Sequence, residues 1–442
     1  MPEAGKIYSD LCWIEEKLQP ASIEWEGKQI TAICTERLPD AVDHSGHIIM
    51  PGIIDAHVHI NEPGRTEWEG FDTATQAAAA GGITTLIEMP LNAHPVTTSA
   101  AAYYEKQKAA QGKLHVNAGF YGGLVPGNIN EIEEMIKAGV LGIKCFLTHS
   151  GIDEFPNVTE ADLDAAMPII AKHKLPLLVH CELDGDCDHS LATHPTSYAA
   201  YLASRPRQWE NNAVAMMIRL CRKHDCRVHI VHVSSSDALQ LIAAAKKEGL
   251  PISAETCAHY LYFNAEDIPD GSCIYKCAPP IREKENNQQL KSALLSGVLD
   301  FITTDHSPAP ANIKEMATGN LQKAWGGIAG LQFLLPASWT ALREMMPIDK
   351  FIPLITSHPA AFAGLGQRKG QIAVGYDADL LIWSADEKMK VEVADILFRH
   401  KISPYLGCTL SGVVKQTIVN GETVFNHNSI INKNKGEWLL HP

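Results

Sequence analysis

The segment His57-Val58-His59 sets two imidazoles two residues apart. In a strand, side chains at i and i+2 leave the same face, so both rings can reach one cation. The pair alone is a weak signal. It gains weight because other chemically capable residues share its setting, at or near the end of a short apolar run. Lys144 lies in Leu141-Gly142-Ile143-Lys144-Cys145-Phe146-Leu147, and His180 follows Leu177-Leu178-Val179. His232 follows Val228-His229-Ile230-Val231, and Asp305 follows Asp300-Phe301-Ile302-Thr303-Thr304. Four imidazoles, an amine and a carboxylate that converge can hold divalent cations, which lower the pKa of water far enough to supply hydroxide for hydrolysis. Asp305 can touch a metal and also accept a proton from water. Two readings stand for Lys144. Its stem can be buried while the ammonium escapes to solvent. Alternatively, burial depresses its pKa and leaves a neutral amine that adds carbon dioxide, giving a carbamate whose two oxygens bridge two cations. His229 alternates onto the other side of its run and reads as structural.

What must position these residues is a repeated strand–helix unit. Short apolar runs recur at 53–57, 84–88, 116–120, 142–146, 177–180, 228–232, 252–255 and 300–304, separated by helix-length segments. One of those segments, 161–172, is opened by Thr159, a capping residue type, and closes near His173. Eight βα units close most economically into an α/β fold of the (β/α)8 barrel type, because every strand is then paired. Active sites of such barrels lie at the C-terminal ends of the strands, where the candidate residues fall. The barrel is expected over residues 51–369. The flanks, 1–50 and 370–442, carry short strand patterns and turns, and are expected to meet in a small β-sandwich. Val419-Asn420-Gly421-Glu422-Thr423-Val424-Phe425 is a hairpin signal.

Composition narrows the partners. The chain has 442 residues, 45% of them hydrophobic, enough for a large core, and a formal net charge of −14 with no basic stripe. That balance excludes nucleic acid and anionic membrane as partners. No apolar run is long enough to span a bilayer, and the first thirty residues show no signal-peptide pattern. Eleven cysteines without CxxC pairs read as reduced thiols in a cytoplasmic enzyme, each a small buried hydrophobe.

The stretch Pro51-Gly52-Ile53-Ile54-Asp55-Ala56-His57-Val58-His59 resembles the opening of the cyclic amidohydrolases, which include dihydroorotases, hydantoinases and allantoinases. The resemblance runs on through residues 370–379. It implies a binuclear metal centre, with His57, His59, carboxylated Lys144 and Asp305 on one cation. Carboxylated Lys144, His180 and His232 would hold the other. Zinc is the family's default, with iron, cobalt or manganese able to substitute. The resemblance also implies Asn92 as a substrate-binding asparagine, Cys277 as a source of backbone contacts to the ring imide, and a homotetramer. Segments 61–70, 144–147, 276–282 and 323–328 look most like the allantoinase branch, whose small-molecule substrate, allantoin, is hydrolysed to allantoate. Dihydroorotases typically carry arginine two residues after the second histidine, facing a substrate carboxylate. Here that position is Asn61, which suits a neutral ureido group. Ala258 stands where relatives usually show proline. A hydantoinase or dihydroorotase activity is the runner-up among enzymes, and a metal-free scaffold is the rival outside them.

Overall fold

A computed structural model of the chain describes residues 4–441. The barrel strands are β1 (Ile53–Val58), β2 (Ile83–Glu88), β3 (Asn117–Phe120, resumed as Gly122–Gly123), β4 (Ile143–Phe146), β5 (Leu177–His180), β6 (Val228–Ile230), β7 (Ile252–Cys257) and β8 (Phe301–Thr303). Each pairs in parallel with the next in the chain. Tyr121 splits β3, whose first part pairs with β2 and whose second part pairs with β4. The ring closes where Val58 bridges His306 and the His59 N–H donates to the His306 carbonyl at 2.8 Å. Every barrel strand thus has a neighbour on both sides, as the expected fold requires.

Alternation along the strands sorts side chains between two apolar regions. In β4, Ile143 and Cys145 join the large cluster under the helices, while Lys144 and Phe146 point into the barrel mouth. The helix expected over 161–172 runs Glu160–Lys172. Its start is fixed by a capping box, in which Thr159 accepts the Asp162 N–H and Asp162 accepts the Thr159 N–H. Leu163, Ala166, Met167 and Ile170 then bury one helical stripe against the barrel. Fully burying a side chain the size of leucine or isoleucine is worth roughly 1.5–3 kcal/mol, so this stripe secures the helix.

The flanks meet in one β-rich unit. A single hydrogen-bonded path links Ser429–Ile430, Glu422–Asn426, Thr409–Val419, Leu380–Lys390, Ile48–Pro51, Ala4–Ile14, Lys17–Glu26 and Gln29–Cys34. The sheet folds over on itself: Gln29 bridges Asp377, and the Ile30 N–H donates to the Tyr376 carbonyl at 2.9 Å. Ile7, Ile23, Trp25, Ile49, Leu380 and Ile418 fill the core it encloses. The Asn420-Gly421 hairpin forms as expected, with φ of 52° and 81°, the positive pair that a type I′ turn demands.

One part of the flank lies elsewhere. Residues 436–441, expected in the β-unit, return to the barrel, where the Leu439 N–H donates to the Ala118 carbonyl at 2.9 Å and Trp438 packs on Phe120. Gly436 permits the approach, since a Cβ there would meet the Val116 carbonyl oxygen at 2.0 Å. Leu439 belongs to the apolar cluster inside the barrel, with Tyr121 and Leu141. Leu439 is buried there and Trp438 partly buried, which favours this docking.

Candidate metal centre

The C-terminal ends of the barrel strands open into a cavity of about 580 Å³ lined by His57, His59, Asn92, Lys144, His180, His232 and Asp305. Residues spread from position 57 to 305 are thereby brought to one cavity. Cys277 is not among the lining residues. It sits between two that are, Lys276 and Ala278, and its carbonyl accepts the Tyr201 hydroxyl at 2.5 Å. Asn61, read as substrate-facing, is also off the cavity wall, and its amide donates to the Pro308 carbonyl at 3.3 Å.

Local backbone geometry explains how some of these side chains arrive. β6 and β8 end before their functional residues, and His232 and Asp305 take left-handed conformations with φ of 40° and 45°. Asn92 does the same, with φ of 68°. Such conformations cost non-glycine residues on the order of 1–3 kcal/mol and persist where the surroundings over-determine them. Val231 packs in the barrel-interior cluster, so continued alternation would have sent His232 outward. The left-handed turn brings it back to the cavity. By the same token the expectation for His229 fails. It stands inside the barrel, stacked on Phe301, with Nε2 3.1 Å from Glu255 Oε2.

The donor atoms form two groups. His57 Nε2 and His59 Nε2 lie 3.1 and 3.2 Å from the same Asp305 oxygen. His180 Nδ1 and His232 Nε2 face each other at 3.0 Å. Ligand atoms around a tetrahedral zinc with ~2.05 Å bonds are roughly 3.3 Å apart, so both groups have the spacing of ligands to one cation. Lys144 is 1% exposed, and its Nζ has no hydrogen-bond partner among the described residues; the Phe146 ring is 4.9 Å away. Buried His232 Nδ1 is likewise unpartnered. Crowded lone pairs beside an unpaired buried amine fit the divalent cations and modified lysine that the donor set suggests.

Two carboxylates fix which ring nitrogens are free. Glu255 Oε1 is 2.5 Å from His57 Nδ1, and Glu182 Oε2 is 2.7 Å from His180 Nε2. Each takes an imidazole N–H and leaves the other nitrogen facing the cavity. Burial opposes both negative charges. Nevertheless, His57 and His229 hold Glu255 at about 2, and Arg205 and His180 hold Glu182 at about 2. Burial pushes His59 down to about 4 and lowers His180 and His232 as well, so these rings are neutral, the form that binds metal. For His57 burial is outweighed by Asp305 and Glu255, which raise it to about 9, so a cation at Nε2 must displace a proton. Burial lowers Lys144 to about 8 against the pull of Asp305 and Glu255.

Sequence reasoning missed Glu182 and Glu255. Glu182 had a usable signal, since it stands two residues after His180 as His59 does after His57. Glu255 was visible only as an acid within an apolar strand.

A closed parallel barrel carries a histidine–carboxylate cluster at its C-terminal mouth, and the sequence identifies its class: residues 48–424 match the amidohydrolase family, and the chain belongs to it. It is 43% identical to an allantoinase of Streptomyces avermitilis, over 92% of each chain. It is 41% identical to the allantoinase of Arabidopsis thaliana, over 91% of this chain and 81% of that one. Among solved structures it resembles an L-hydantoinase (dihydropyrimidinase) from Arthrobacter aurescens, with a TM-score of 0.93 and 30% identity over the full length of both chains. All eleven cysteines are free, and among the described residues no helix is long and apolar enough to cross a membrane.

Proposed function

We propose that this chain is an allantoinase, hydrolysing the cyclic amide of allantoin to allantoate. The observation that carries the reading is identity of 40–43% to allantoinases from a bacterium, a plant and a yeast over 89–92% of the chain. The site chemistry supports it. His57, His59 and Asp305 would hold one divalent cation, zinc in the first instance, and His180 and His232 a second. Lys144 would bridge them after its neutral amine adds carbon dioxide, forming an N–C bond and releasing a proton. Bound there, the cations would supply an acidified water and an electrophile for the amide carbonyl. Asp305, held ionised by His57 and His59 despite its burial, accepts the proton of the attacking water and returns it to the departing ring nitrogen. Asn92 lies 3.3 Å from His59 Nδ1. The contacting atom is its Nδ2, and its buried Oδ1 has no partner among the described residues, so that oxygen is left to accept from a substrate N–H. Division into a barrel at 51–369 and a β-unit from 1–50 and 370–442, apart from the 436–441 tail that joins the barrel, a homotetramer and a cytoplasmic setting belong to the same reading.

The hydantoinase alternative is favoured by the full-length likeness to the Arthrobacter aurescens structure. Rates on allantoin, hydantoin and dihydroorotate, measured side by side, separate the readings. Allantoin is expected to be opened fastest. Faster opening of hydantoin would put a hydantoinase in its place.

A further inference from the structure

Behind His57 stands a buried chain of side chains that the reaction itself does not use. Glu255 reaches His57 Nδ1 with one oxygen, at 2.5 Å, and His229 Nε2 with the other, at 3.1 Å. His229 Nδ1 lies 2.8 Å from Ser253 Oγ, and its ring stacks on Phe301 at an interplanar angle of 7°. Both Glu255 and His229 are 0% exposed. A carboxylate is a costly group to bury, and here each of its oxygens is spent on a histidine. If His229 donates Nε2–H to Glu255, its Nδ1 must accept from the serine hydroxyl, so Ser253 selects the tautomer that lets His229 anchor the acid. Glu255 in turn can only accept from His57, which keeps a proton on Nδ1 and makes Nε2, 3.1 Å from Asp305, the nitrogen that gives up its proton to a cation.

We propose that Glu255, anchored by His229 and Ser253, is a positioning residue for His57, setting the ring's orientation and proton placement and thereby the affinity of the His57–His59–Asp305 group for a divalent cation. This rests on the metal-dependent reading above. The second half of the centre is built differently. There the carboxylate on His180, Glu182, is backed by Arg205, which itself lines the cavity. Loss of the deep chain should therefore weaken one cation more than the other.

The test is titration of the metal-stripped full-length protein with cobalt, followed by its visible absorption and by metal analysis. Glu255→Gln keeps shape but loses charge, and should weaken one of two cobalt sites by on the order of 10- to 100-fold. His229→Phe keeps the stack on Phe301 and removes the anchor, and should weaken the same site by less. Circular dichroism identifies variants that keep the fold, and His229→Phe decides the matter if Glu255→Gln does not fold. A folded variant of either kind that binds both cobalt ions within about twofold of the parent overturns the positioning role. A parent that binds no stoichiometric cobalt overturns the metal reading instead, so the two failures are told apart.

Discussion

Each buried group at the centre acts through what it can do with a proton. Asp305→Asn keeps the size of the side chain but cannot accept the water's proton. Turnover should fall by about 10²- to 10⁴-fold, while metal analysis still finds bound cation held by the histidines. Loss of cation in proportion to activity would reduce Asp305 to a ligand. Lys144 makes a second prediction with a sign. Only its neutral form adds carbon dioxide, and burial lowers its pKa to about 8. At fixed dissolved carbon dioxide, the rate of ¹³C incorporation into stripped protein should therefore rise with pH up to about 8 and level off above it. A pH-independent rate would remove the lysine from the centre. Much of this was legible beforehand, because Lys144 and His180 obey strand alternation and His57 and His59, two residues apart, reach the same cavity. His232 was placed correctly by its position, but its neighbour His229 was not. The left-handed backbone at His232 breaks the period of two, and nothing in residue order announces that break.

At the scale of elements, strands and helices were legible where one face is apolar and a cap is present, as in Glu160–Lys172 with Thr159. The chain end was not. Trp438-Leu439-Leu440 reads like one more short strand pattern, and only the space at the base of the barrel draws it away from the sheet. Leu439 is 1% exposed, so Leu439→Ala should cost about 2–5 kcal/mol of stability, read as a lower denaturant midpoint. Residues 436–441 lie along β3, whereas the cavity is formed at the strands' C-terminal ends. The specific activity of the folded variant should accordingly match the parent's. Equal stability would show that the tail merely rests on the barrel.

At the scale of the whole molecule, the site is a store of buried charge that folding must keep ionised. Glu182 and Glu255 both sit at about 2 in the fold, against an ordinary value of 4.5. A depressed carboxylate stabilises the fold above its unfolded value, and that contribution is lost as pH falls through the folded one. Stripped protein should therefore lose stability progressively from pH 4.5 towards 2, and Glu182→Gln should make that slope shallower. An unchanged slope would place the acid sensitivity elsewhere. Closure of the barrel makes all of this possible, since only the ring from β1 to β8 brings His57 and Asp305 together. The most direct test of the account is allantoin hydrolysis by protein freed of metal and then titrated with zinc. Activity should be absent at the start and climb to a plateau at two zinc ions per chain. Full activity in the metal-free protein, or no allantoin opening at any zinc level, would contradict it.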